Sequence, residues 1–151
     1  MRRTTLPALL LAACGLPTGP TQDLSPAGRF TVSGGTVTAP MRADADALWD
    51  LVGACVAGGK GRAPSAPEAF PIRVVTDYID CGGVTASGCY QSDNIRVQSV
   101  YYHAALQHEL TNYAFDHLGL KTDAERDETF RTCSGDSKCN PPGAQPPHLC
   151  L

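Results

Sequence analysis

Apolar positions in residues 100–120 recur with a helical period. At about 100° per residue, Val100, Ala104, Leu110, Ala114, Phe115 and Leu118 fall on one broad arc. The pattern predicts a helix with a core face, closed by Gly119 as its C-cap. A second stretch, 41–57, places Ala45, Leu48, Trp49, Val52 and Val56 at the same spacing, and Gly58-Gly59 is expected to end it. Asp44 and Asp46 suit the positive end of that helix's dipole, and Trp49 reads as a core residue. Thr122-Asp123-Ala124-Glu125 has the spacing of a capping box, so a short third helix is expected to run through Phe130, with Cys133 ending the regular part.

Between the first two helices the period changes to two. Residues 72–79 (IRVVTDYI) form a β-branched run behind Pro71, and 90–98, with Ile95 and Val97, give a returning strand. Phe30-Thr31-Val32 and Thr36-Val37-Thr38 flank Ser33-Gly34-Gly35 and read as a small hairpin. Residues 60–71 carry three prolines and read as a loop. The expected class is α+β: a small antiparallel sheet packed with two main helices. The length of 151 residues suits one compact domain.

The two ends look different from the middle. Met1-Arg2-Arg3 followed by the apolar run 6–13 has the form of an export signal. Leu11-Ala12-Ala13-Cys14 resembles the lipobox of bacterial lipoproteins, which implies removal of residues 1–13 and lipidation of Cys14. Two or three acyl chains, at about 0.8 kcal/mol per buried CH₂, give stable anchoring. Gly15 after the cysteine, by the same resemblance, favours the outer membrane as address within the cell envelope. Residues 14–40 are rich in Pro, Gly and Thr and are expected to tether the lipid to a domain at 41–133. Residues 134–151 form a Cys- and Pro-rich tail. A net charge of −3 with no basic cluster argues against nucleic acid as a partner, and no apolar run of about 18 residues exists to span a bilayer.

Seven cysteines less Cys14 leave Cys55, Cys81, Cys89, Cys133, Cys139 and Cys150. An even number in an exported chain implies disulfides, although six cysteines leave many pairings open. The preferred set is Cys81 with Cys89 across a short loop, Cys55 with Cys133 tying the first helix to the end of the domain, and Cys139 with Cys150 clipping the tail. A Cys₄ zinc site is the alternative, but no pair shows the two-residue spacing such sites favour.

The candidate chemistry lies in the middle of the 100–120 helix, at His108-Glu109-Leu110-Thr111-Asn112. In H-E-x-x-H, two histidines four apart ligate zinc from one helix face, and the Glu acts as general base on the metal-bound water. Here the second histidine is Asn112. The stretch resembles zincin-type metallopeptidases, and more closely short exported lipoproteins that carry H-E-L-T-H on a helix after a strand and a Cys-flanked Gly loop. The likeness covers roughly 72–133, including Phe130-Arg131-Thr132-Cys133. It implies a minimal zincin-like, disulfide-stapled fold, zinc as cofactor, His108 as first ligand, Glu109 as catalytic base, Asn112 at the second ligand position, and Glu125 or, second, Asp123 as third ligand. An amide oxygen is a poorer zinc donor than imidazole. Glu125 is also the reciprocal residue of the capping box, which is the commoner role at that spacing.

The other candidates separate by angle. His117, nine residues after His108, lies on the opposite side of the helix, whereas Asp116 is near enough in angle to orient His108 or Asn112. His103 and His148 have no partner at useful spacing, and no G-x-S-x-G, phosphate loop or dinucleotide pattern occurs. Two functions follow: a zinc-dependent hydrolase of peptides or proteins at the cell surface, or a non-catalytic envelope lipoprotein acting as a structural or binding module. Asn112 favours the second for turnover.

Overall fold

A computed structural model of the chain describes residues 23–120 and 124–135, Glu125 by its main chain alone. The chain order is β1 (Phe30–Ser33), α1 (Ala39–Lys60), β2 (Phe70–Val75), β3 (Ile79–Asp80), β4 (Thr85–Ala86), β5 (Gly88–Gln91), β6 (Asn94–Gln98), α2 (Tyr102–His117) and α3 (Glu128–Cys133), with 3-10 turns at Ser99–Tyr101 and Ala124–Arg126. The class is α+β, with two main helices and a small sheet. That sheet is mixed rather than wholly antiparallel: its order is β1-β2-β6-β5, with β1, β2 and β6 parallel and β5 antiparallel at the edge. β3 and β4 form a separate antiparallel ribbon.

The cause of the difference is a turn. Residues 90–98, expected as one returning strand, fold back at Ser92-Asp93, so that Gln91 pairs with Asn94 and the chain reverses before β6. That reversal turns β6 parallel to β2. Thr36–Thr38 form no strand; they lead into α1, where the Thr38 hydroxyl caps the Met41 N–H at 3.4 Å. β1 pairs with β2 instead, Phe30 opposite Phe70 and Val32 opposite Ile72. Within the stretch expected as a tether, Ser25, Phe30 and Val32 are buried in the fold.

The strands alternate as a half-buried sheet requires. Phe30, Val32, Ile72, Val74, Ile95 and Val97 point into one core, where they meet Leu48, Trp49, Val52 and Val56 of α1 and Leu106, Leu110, Ala114 and Phe115 of α2. All five expected α1 positions are buried. The helix runs past Gly58-Gly59 to Gly61, which takes the left-handed cap at φ 68°. Gly59 has a different use: a Cβ there would lie 2.3 Å from Thr129 Cγ2, so its bare backbone lets α3 pack against α1.

Asp46 does not serve the helix dipole, since α1 begins at Ala39 and has no acid in its first turn. It is buried and accepts from Ser25 Oγ at 2.9 Å and Ala27 N at 2.7 Å, which fastens the turn before β1 to α1. Asp46→Ala leaves both donors without that carboxylate and is expected to cost about 1–3 kcal/mol. Urea unfolding checks this: the midpoint falls at constant slope, and an unchanged midpoint would show that the turn does not depend on Asp46.

α2 starts later than the periodicity suggested. Val100 sits in the preceding 3-10 turn, 72% exposed, and Ala104 is only half-buried. The buried set is Tyr102, Ala105, Leu106, Glu109, Leu110, Thr111, Tyr113, Ala114 and Phe115. It is wide because α1, α3 and the β5–β6 hairpin all pack on α2. The helix ends as expected, with Gly119 at φ 70° and its N–H bonded to Asp116 O at 2.9 Å.

For α3 the cap is Asp127, which accepts from Thr129 N at 2.8 Å, and the helix begins at Glu128; Thr122 and Asp123 lie outside the described residues. Lys60 pairs with Asp127 and stands 5.4 Å from the Phe115 ring centre. The Lys60 hydrogen bond, helped by the Phe130 and Thr129 N–H groups, holds the Asp127 carboxyl below its usual range. A carboxyl whose pKa is depressed in the fold stabilises above its unfolded value, so this cap weakens as acid protonates it. Cys55 is bonded to Cys133 and Cys81 to Cys89, as expected; Cys14, Cys139 and Cys150 lie outside the described residues.

Candidate functional site

Positions 109, 112, 113 and 116 make one helical stripe, and β5 lies along it. Glu109 is 6% exposed because it is folded against that strand. Gly88 makes the room: a Cβ there would come 2.6 Å from Glu109 Oε1 and 3.0 Å from its Cγ. The other carboxylate oxygen, Oε2, accepts from Asn112 Nδ2 at 3.0 Å. Two turns on, Asp116 Oδ2 accepts from the Tyr90 hydroxyl at 2.8 Å. Burial, and next the Asp116 carboxylate, push the Tyr90 hydroxyl well above its ordinary value, which keeps it protonated as the donor.

His108 faces a different neighbour. Its ring stands edge to face with Phe130 of α3, centroids 5.4 Å apart and planes at 85°. Glu109 is thus turned to β5 and His108 to α3, while Asn112, one turn beyond His108, is held by Glu109. The edge strand covers the side of the helix that bears Glu109. Asp116, near enough in angle to orient His108 or Asn112, is half-buried and accepts from Tyr90 across to β5.

The remaining candidates lie elsewhere. His117 is exposed, stacked on Tyr113 at 3.9 Å, with Nδ1 2.9 Å from Tyr113 O. His103 is exposed on the first turn of α2. His148 and Asp123, and the side chain of Glu125, lie outside the described residues. Thr111, inside the motif, is fully buried and bonds back to Gln107 O at 2.9 Å. A surface groove of about 310 Å³ is lined by Cys55, Gly59, Glu128, Thr129, Thr132 and Cys133; His108, Glu109 and Asn112 are not on its walls.

The donor set tests the implied metal. Zinc takes four ligands, with nitrogen and sulfur preferred. Among the described residues no group of three or more His, Cys, Asp or Glu side chains is placed to hold an ion. Asn112 turns its N–H₂ to Glu109, because a carboxylate can only accept, so the amide is engaged with the residue that would serve as base. Among the described residues the motif thus offers the His108 ring and a Glu109–Asn112 pair already bonded to each other. Comparison with protein-family models, with curated proteins and with solved structures finds no match to this chain.

The Glu109–Asn112 pair had a readable signal, since residues three apart on a helix are neighbours. The Tyr90–Asp116 bond had none: its members are 26 residues apart and meet only through the hairpin.

Proposed function

We propose that this chain is an exported, lipid-anchored protein of the bacterial envelope, built around a metallopeptidase-like helix whose metal site is degenerate, and that it acts by binding a peptide or protein and not by turnover. The observation that carries the reading is the 3.0 Å hydrogen bond from Asn112 to Glu109. It puts an amide at the position of the second imidazole ligand and engages the carboxylate at the position of the base. Such a carboxylate is held in place as a structural acceptor.

The address rests on Leu11-Ala12-Ala13-Cys14. Both described disulfides suit an oxidising compartment. No helix of the described residues is long and apolar enough to cross a membrane; in this reading the acyl chains on Cys14 attach the chain to the bilayer. Eight residues lie between Cys14 and Asp23, the first described residue, a reach of at most about 30 Å. The lipid reading therefore keeps the domain close to the bilayer surface.

Metal content and peptide hydrolysis test the proposal together. The unmodified chain is expected to purify with far less than one zinc and to cleave no peptide. Asn112→His should release Glu109 and raise zinc affinity by about 10²-fold or more, the scale of adding an imidazole ligand. Zinc at about one per chain in the unmodified protein, lost in His108→Ala and accompanied by hydrolysis, sinks the degenerate reading. If Asn112→His gains no zinc, the likeness to zincins goes with it.

A further inference from the structure

The 76–87 excursion between β2 and β5 is fastened by Cys81–Cys89, and the charge beside that bond has a chemical consequence. Cys89 on β5 is 2% exposed, while Cys81 is only partly covered, so a reagent meets the Cys81 sulfur first. Directly across the hairpin from Cys89 is Arg96, its register partner on β6. The guanidinium Nη2 donates to Asp80 O at 2.9 Å and stands 3.7 Å from Cys89 Sγ. Its Nε is buried with no hydrogen-bond partner. The neighbouring acid does not neutralise it: Asp80 gives Arg96 its main-chain oxygen and turns its carboxylate to Gly83 N at 2.7 Å. Arg96 thus carries a partly desolvated charge with no carboxylate paired to it among the described residues, next to a sulfur that becomes an anion when the disulfide opens.

We propose that Cys81–Cys89 is a thiol–disulfide exchange site for a dithiol reductant, with Arg96 as the positioning residue that receives the leaving Cys89 thiolate. One thiolate of the reductant attacks Cys81 Sγ. The Cys81–Cys89 bond breaks, and Cys89 leaves with the electron pair as a thiolate paired with Arg96. The second thiol of the reductant then gives up its proton and attacks its own sulfur in the mixed disulfide. This releases Cys81, which takes up a proton, and closes the reductant's disulfide. Two electrons have passed from the dithiol to the protein. A leaving thiol stabilised as thiolate departs faster and shifts the equilibrium toward reduction.

The second described disulfide provides the contrast. Cys55–Cys133 shares its groove with Glu128, and it closes a separation of 78 residues against 8. The consequence for the candidate site, and only that consequence, rests on the function proposed above. Gly88, the residue next to Cys89, is the backbone that walls Glu109, so opening the bond unties the start of β5 where the stripe is covered.

The test uses the full chain equilibrated in mixtures of reduced and oxidised dithiothreitol, quenched by alkylation and mapped by mass spectrometry so that each disulfide is counted separately. Cys81–Cys89 should open at a reduced-to-oxidised ratio at least tenfold lower than Cys55–Cys133. Arg96→Gln should raise the ratio that Cys81–Cys89 needs by about tenfold, which is about 30 mV for this two-electron couple, and leave Cys55–Cys133 where it was. Arg96→Lys, which keeps the charge, should move it by less. Joint opening of the two bonds, earlier opening of Cys55–Cys133, or an unmoved Cys81–Cys89 midpoint in a folded Arg96→Gln protein overturns the proposal. If Arg96→Gln does not fold, the order of opening in the unmodified chain decides alone. Neither readout depends on zinc or on hydrolysis, so this proposal and the functional reading fail separately.

Discussion

A double variant, Cys55→Ser with Cys133→Ser, is expected to lose about 4–5 kcal/mol of unfolding stability. The bond closes a separation of 78 residues, and the chain-entropy relation for a loop of that size gives about 4.5 kcal/mol, against about 2.6 kcal/mol for the 8-residue separation of Cys81 and Cys89. Domains of this size have only about 5–15 kcal/mol in all, so the variant should sit near the edge of folding. Its melting temperature should fall by roughly 15 °C or more, since each kcal/mol moves a domain of about 100 residues by several degrees. Calorimetry under non-reducing conditions, with Cys81→Ser/Cys89→Ser alongside, checks both the size and the order of the two losses. Residual attachment of α3 comes from the Lys60–Asp127 pair, the Gly59–Thr129 contact and the bond from Gln107 Nε2 to Cys133 O at 2.8 Å. If the 55–133 variant loses less than about 1 kcal/mol, those contacts suffice and the disulfide closes a loop the unfolded chain already restrains.

How far the sequence could be read follows from which interactions are local. The buried stripe of α1 was legible because residues 45 to 56 carry their period within one helix, and both described disulfides because each joins cysteines that flank or end predicted elements. The third expected pair, Cys139 with Cys150, lies outside the described residues. Phe30 and Val32 announced a strand but not its partner: parallel pairing with β2 across the 22 residues of α1 is a tertiary choice with no mark in either segment. Asp46 looked like an ordinary helix acid, and only Ser25 and Ala27, folded back upon it, make it a structural acceptor.

One missed turn accounts for the largest error at the site. Ser92-Asp93 carries residues suited to a tight turn, but it lies inside the stretch 90–98, which reads as one strand on the strength of Ile95 and Val97. Taking the run as one strand removes β5 from the sheet. Without β5 the side of α2 bearing Glu109 looks open to solvent, and Asp116 has nothing to meet. With the hairpin in place, Gly88 and Tyr90 become the inward positions of an edge strand, and Glu109 is buried and Asp116 half-buried against them. The motif itself was legible, helix and register both. What was not legible is that neighbours in sequence, His108 and Glu109, answer to different elements.

Phe130→Ala should show how far α3 sets the first of those two. Phe130 is fully buried and meets two rings edge to face, Phe115 at 5.2 Å and His108 at 5.4 Å. Truncating a buried Phe removes its transfer energy and leaves a cavity, together about 3–5 kcal/mol, and the aromatic pairs add about 0.5–1.5 kcal/mol each. The Cys55–Cys133 bond limits how far α3 can move in to fill the space, which places the expected loss in the upper half of that range. Phe130→Leu keeps most of the volume and none of the ring, so it should recover the larger part of the stability while leaving His108 without its aromatic neighbour. Urea midpoints give the energies, and the His108 ring-proton shifts in NMR give the orientation: both variants should lose the ring-current displacement, but only alanine the stability. Should the His108 shifts be the same in all three proteins, the imidazole is oriented by something other than α3. The separation of His108 from Glu109 would then be a property of the α2 register alone.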